Sequence, residues 1–145
     1  MRIEKIIKIG HPALRAVKKA VSAELEYEKL TGRKLGITGE VGELLTCQKL
    51  KLNLVANPLI AGYDAIDKKG RRYQIKTRHG HSDRGRTSRF SEHDFDYAVL
   101  VILDKKYKVS GLWQTTYKKL RPVLKRLKRR NPSLREFKRI SKELL

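Results

Sequence analysis

GYDAIDKKGRRYQIKTR, residues 62–78, is the stretch that decides how this chain reads. Lys68-Lys69-Gly70 separates two strand-like segments, Ile60 to Asp67 and Arg71 to Thr77. A three-residue hairpin loop with glycine last is a favoured connection, because glycine accepts the left-handed backbone that closes it. With Asp67 opposite Arg71, Ile66 faces Arg72 and Asp64 faces Gln74. Side chains alternate along a strand, so Asp64, Gln74 and Lys76 fall on one face and Asp67 points to the other. An acid, an amide oxygen and an ammonium thus converge at one spot. The two oxygens suit a hard divalent cation, Mg²⁺ foremost and Mn²⁺ as a substitute. Such an ion polarises a phosphodiester and lowers the pKa of bound water, and Lys76 can orient that water or stabilise charge on the phosphate. Asp67 reads as a structural residue.

Working upstream, a helix is expected from Pro12 to Leu30, with Leu14, Val17, Val21 and Leu25 at helical spacing and Pro12 in its first turn. Residues 31–36 connect it to a second helix, from about Gly39 to Leu52, for which Thr38 is the expected N-cap. Leu54 to Ala56 is a short strand candidate. Downstream, residues 79–92 are polar and glycine-bearing and read as a mobile loop. Tyr97 to Leu103, YAVLVIL, reads as a strand buried on both faces, and Tyr107 to Thr116 as its hairpin partner. The remaining chain turns helical and amphipathic. Ser133 and Glu136 form a capping-box pattern before a last helix carrying Leu134, Phe137, Ile140 and Leu144. The order of elements implies one mixed α/β domain over residues 1–145: an N-terminal helix and connector to residue 38, a core over 39–116, and a basic helical tail from 117.

The formal net charge of +20 points to a polyanionic partner. Residues 118–145 carry twelve Lys or Arg against Glu136 and Glu143, a net +10, half the total. Residues 68–93 carry nine against Asp83 and Glu92, a net +7. Arg78, Arg84, Arg86 and Arg89 in the second group, with Lys125, Arg126, Lys128, Arg129 and Arg130 in the first, are the candidate nucleic-acid contacts. No apolar run approaches the roughly 18 residues of a membrane span, which argues against a membrane partner. The N-terminal MRIEKIIKIG lacks a signal-peptide pattern, and the single cysteine, Cys47, excludes an internal disulfide, so the expected location is cytoplasmic. Cys47 and Trp113 read as core or sheet residues; His79 and His81 form an HxH pair without the further ligands a zinc site needs.

GYDAID followed by RRYQIKTR, with GEVGELL upstream on a helix, resembles the PD-(D/E)XK nuclease superfamily in its QxK variant. Asp64 matches the first acid of that pattern, and Gln74-Ile75-Lys76 its second element. Tyr63 stands where the motif often has proline, and Gln74 replaces the usual acid, leaving one negative charge fewer. The resemblance spans about residues 39–116. It implies a restriction-endonuclease-like fold with a central mixed sheet flanked by helices. It also implies one or two Mg²⁺ ions, hydrolysis of DNA, and the Ile75 carbonyl as a further metal ligand. A helix glutamate often joins such a site. Glu40 and Glu43, three apart on one helix face, are the candidates, with Glu43 favoured. Cleavage of both strands would need two active sites, so a homodimer is an expected partner arrangement. The alternative is a non-catalytic DNA- or RNA-binding protein on a degenerate nuclease fold, which would have no use for clustered acids that repel phosphate.

Overall fold

The hairpin forms in the expected register. Ile66 pairs with Arg72 and Ala65 with Tyr73, and the Asp67 N–H donates to the Arg71 carbonyl at 3.1 Å. Gly70, at φ 79°, closes the turn in the left-handed region. The computed structural model describes residues 5–145, the Ile60 side chain excepted, so the leader reading of residues 1–10 lies partly outside the described residues.

In chain order the elements are β1 (Ile6–Ile7), α1 (His11–Thr31), α2 (Thr38–Leu50), β2 (Asn53–Val55), α3 (Pro58–Ala61), β3 (Ala65–Ile66), β4 (Arg72–His79), β5 (Tyr97–Leu103), β6 (Val109–Thr116), α4 (Tyr117–Arg126), α5 (Leu134–Arg139) and β7 (Lys142–Glu143). The fold is mixed α/β. Its strands form one mixed sheet in the order β1 to β7, antiparallel except for the β4–β5 pair. Both ends of the chain supply edge strands, so the sheet extends beyond residues 39–116.

The β4–β5 register aligns Gln74 with Ala98, Lys76 with Leu100 and Arg78 with Ile102. These residues lie on one face of the sheet. On the other, Tyr73, Ile75, Val99, Val101 and Leu103 pack with Val41 and Cys47 of α2 and with Val17, Val21 and Leu25 of α1. Gly42 lets α2 approach β4 closely: a Cβ there would stand 2.0 Å from Thr77 Oγ1. Glu24 of α1 is wholly buried, and its carboxylate accepts from the Leu35 N–H at 2.8 and 3.0 Å, pinning the connector to the helix.

Parallel neighbours need a crossover connection. Here residues 80–96 make it without a helix, and the expected mobile loop is instead fastened down. Phe90 and Phe95 are buried against Ala98, Leu100, Ile102, Leu120, Leu124, Leu134 and Phe137. Backbone bonds from Thr87 to Pro132, Phe90 to Arg130 and Leu134 to Gly85 (3.0, 3.0 and 3.1 Å) join it to the C-terminal segment. The polar letters of 79–92 hide this, because one phenylalanine and a set of backbone bonds do the anchoring.

Four local expectations need correction. The strand read from Ile60 to Asp67 is only Ala65–Ile66. Pro58 starts the short α3 and Gly62, at φ 80°, ends it, so the apolar letters before Asp64 are partly helical. Thr38 is the first residue of α2 and Ile37 its cap, with no side-chain cap bond. Tyr107 belongs to the turn, at φ 63°, and β6 begins at Val109. The last helix stops at Arg139, and Leu144 lies beyond the two-residue strand β7, which pairs with Trp113 and Gln114. Ser133 does cap α5, its hydroxyl accepting from the Glu136 N–H at 3.1 Å, while the Glu136 carboxylate turns to Arg126. Cys47 is buried as expected.

Candidate active site

Asp64 stands just before β3, where the partner strand β4 runs on beyond it. Its backbone N–H donates to the Tyr73 carbonyl at 2.8 Å, and its carboxylate accepts from the Ile75 N–H at 2.7 Å. The side chain therefore takes the place that a neighbouring strand's carbonyl would hold. In a strand, one residue's N–H and C=O point to the same edge. The Ile75 carbonyl thus faces the edge where Asp64 sits.

α2 brings Glu43 to this point. The Glu43 carboxyl is pushed from 4.5 up to about 8. Burial is the main cause, followed by the Asp64 and Glu40 charges. Asp64 is raised as well, by burial first, with the Ile75 N–H and the Lys76 charge opposing. Two carboxyls brought together in partial burial oppose each other's ionisation. Burial pushes the Cys47 thiol up to about 12, and the charges of Glu43 and Asp64 add to it. Glu40 lies on the same helix face but is exposed.

Lys76 projects from β4 on the face that carries Phe90. Its ammonium donates to the Arg89 carbonyl at 2.7 Å and sits 4.9 Å from the centre of the Phe90 ring. Burial lowers its pKa, while Asp64 and Glu43 pull it back up. Gln74 is only 4 % exposed. Its amide nitrogen donates to the Gly62 carbonyl at 3.0 Å and to the Ser91 hydroxyl, and its oxygen accepts from the Ser91 N–H at 3.3 Å. The two backbone partners fix which way the amide points. Gln74 therefore ties the crossover to the turn before Asp64, with one lone pair of its oxygen left for a ligand.

These groups line a cleft of about 550 Å³, shared by Glu40, Glu43, Asp64, Gln74, Lys76, Arg89, Ser91 and His93. Ser91 and His93 are residues that sequence reading missed. Nothing in the polar crossover marks them until Gln74 and Gly62 fix its path. The HxH pair is not part of the cleft: His79 packs edge-on against Tyr107, ring centres 4.6 Å apart, and His81 is exposed. Asp67 serves its turn, accepting from the Lys69 and Arg71 N–H groups at 2.9 Å and from the Arg71 guanidinium.

Among the described residues no group of three or more His, Cys, Asp or Glu is placed to hold a metal ion. The donor set at the cleft is the Asp64 and Glu43 carboxylates with the Ile75 carbonyl and the free lone pair of the Gln74 oxygen. That chemistry fits Mg²⁺, which takes one or two carboxylates and keeps several waters. It does not fit a softer ion that wants nitrogen or sulfur.

The basic candidates divide by what they touch. Arg130 donates to the Phe90 and Ser91 carbonyls at 3.2 and 2.8 Å, and so holds the crossover in place. Arg78 donates to the Arg84 carbonyl and Arg86 to the Asn131 carbonyl, both at 3.0 Å. Arg126 pairs with Glu136, and Arg89, at the cleft, with Glu92 at 3.2 Å. Arg84, Lys125, Lys128 and Arg129 are exposed. No helix among the described residues is long and apolar enough to cross a membrane. No protein-family model matches the sequence, and neither does any curated protein.

Proposed function

We propose that this chain is a Mg²⁺-dependent endodeoxyribonuclease with a PD-(D/E)XK-type site in a restriction-endonuclease-like fold. The observation that carries the proposal is the meeting of Glu43, Asp64, Gln74 and Lys76 in one cleft, with the Asp64 carboxylate held on the Ile75 N–H. A bound cation relieves the repulsion of the two carboxyls and makes an acidic cleft hospitable to phosphate. Asp64 and Glu43, with the Ile75 carbonyl and the Gln74 oxygen, are the residues that would hold Mg²⁺, and Mn²⁺ can take its place. The ion supplies Lewis-acid polarisation of the phosphodiester and a more acidic bound water.

The chain's own residues do the rest. Lys76, fixed by the Arg89 carbonyl and the Phe90 ring, presents its remaining N–H donors to the phosphate or to the attacking water. Gln74 holds Ser91 and Gly62 together, and all three line the cleft that Glu43 shares. The net charge of +20 draws DNA to the surface, and Arg89 marks the cleft's own edge. The reading is tested by incubating the protein with supercoiled, linear and branched DNA in Mg²⁺, Mn²⁺ or EDTA. Cleavage that needs a divalent ion is the expected result. Tight binding with no cleavage in either metal would leave the non-catalytic reading instead.

A further inference from the structure

A second depression, about 710 Å³, lies on the same side of the sheet at the start of α4. Its floor is apolar: Phe95, Tyr117 and Pro122. Its rim is cationic: Lys118, Arg121 and Lys125. All three rim residues are exposed, and no ion pair engages them among the described residues. The one acid at its edge, Asp96, is committed to Arg72, accepting from its N–H at 2.8 Å and standing 3.6 Å from its guanidinium.

A line of aromatic contacts joins this depression to the cleft. Lys76 Nζ lies 4.9 Å from the Phe90 ring, Phe90 6.0 Å from Phe95, and Phe95 4.7 Å from Tyr117. Taken end to end, these steps put the Tyr117 ring within about 16 Å of Lys76, a distance that roughly five nucleotides of one DNA strand cover at 3.4 Å each. That line runs through the core, because Phe90 and Phe95 are buried, so a strand held at the cleft must pass over the surface to reach the depression.

We infer that this groove binds an unpaired DNA segment flanking the bond to be cut, with a base against Tyr117 and its phosphates on Lys118, Arg121 and Lys125. The inference rests on the nuclease reading for its link to a bond being cut. Duplex DNA offers phosphates to a protein but keeps its base faces stacked. Contact with duplex alone needs cations and no apolar floor. An aromatic floor within a cationic rim matches the two surfaces of a single strand, the flat base and the charged backbone. The volume lies in the range that holds a nucleotide-sized ligand. The substrate class is thus DNA with a single-stranded, frayed or branched region.

The test is binding by the full chain in EDTA, where cleavage plays no part. The probes are a short oligo-dT strand bearing one 2-aminopurine and a duplex of equal length. Tyr117→Leu is expected to weaken single-strand binding about fivefold or more, the scale of a lost base–aromatic stack, and to leave the duplex unchanged. Tyr117→Phe keeps the ring and should keep the affinity. Arg121→Gln, a change on an exposed position, should lower the single-strand salt slope by about 0.7. Equal losses on strand and duplex in folded Tyr117→Leu, or none on either, would overturn the inference. Should that variant fail to fold, the wild-type protein decides: 2-aminopurine fluorescence that does not change on binding overturns it. So does competition by poly-glutamate as effective, charge for charge, as by oligo-dT. A stacking result that survives while Mg²⁺ cleavage is absent would sink the nuclease reading and leave the groove standing.

Discussion

Replacing Glu43 by glutamine removes one carboxyl from a pair that the fold holds together at a cost. The folded protein keeps a proton on Glu43 up to about pH 8, whereas a free glutamate releases it near 4.5. A carboxyl raised in the folded state contributes no penalty below the lower value. Stability is lost as pH climbs through the interval between them, and the loss levels off above about 8. At about 1.36 kcal/mol for each tenfold change in proton affinity, the full interval sets a ceiling of about 5 kcal/mol. Asp64 titrates together with Glu43, and glutamine must still fit the same space, so we expect Glu43→Gln to gain about 2 kcal/mol at pH 8. At pH 4.5 the gain should vanish. Urea unfolding in EDTA at the two pH values measures the difference directly. Mg²⁺ should then reverse the order, stabilising the wild type and not the variant. A variant no more stable than wild type at pH 8, relative to pH 4.5, would refute the reasoning that the two carboxyls repel.

Three further outcomes follow from the same geometry. Lys76→Ala should lose cleavage by about a hundredfold or more while DNA affinity falls little, because one cation among many adds little to binding; single-turnover cleavage and binding measured side by side check this, and equal losses would make Lys76 an ordinary contact. Mg²⁺ affinity should weaken as pH drops below about 8, by up to tenfold for each pH unit, since the ion must displace the proton that Glu43 holds; calorimetry in two buffers of different ionisation heat reads the released proton, and pH-independent affinity would contradict it. Gly42→Ala should destabilise the protein by about 1–3 kcal/mol, because its new methyl meets Thr77 where α2 crosses β4; a melting temperature equal to wild type would show that α2 can move away freely.

The parts of this structure that were legible in the sequence are those set by short-range rules. The Lys68-Lys69-Gly70 turn fixed one register, and that register alone separates Asp64 from Asp67. The run Tyr97–Leu103 announced a strand buried on both faces, and its residues are divided between the two cores. What stayed hidden depends on distant partners. The crossover looks mobile because what holds it, the Arg130 and Pro132 carbonyls and the Leu134 and Phe137 side chains packed with Phe90, is supplied by a segment about forty residues on. Arg130 looks like one more cation in a basic run, yet its left-handed backbone and two carbonyl partners make it a strut. Gln74 was legible as a neighbour of Asp64 in the cleft by register, but its bonds to Gly62 and Ser91 were not, since neither partner is near it in sequence. Leu144 follows the helical spacing of Leu134 and Phe137, and pairing of Lys142 and Glu143 with the β6 edge overrides it.

The central claim is that Asp64 is a metal-holding acid of a nuclease site and Asp67 is not, although both flank the same turn. The measurement is Mg²⁺-dependent DNA cleavage by folded Asp64→Asn and Asp67→Asn proteins, compared with wild type. The account predicts that Asp64→Asn cuts no DNA while retaining its fold, and that Asp67→Asn keeps most of its activity with a stability loss of about 1 kcal/mol from its turn bonds. An active Asp64→Asn, or an inactive but folded Asp67→Asn, would contradict it.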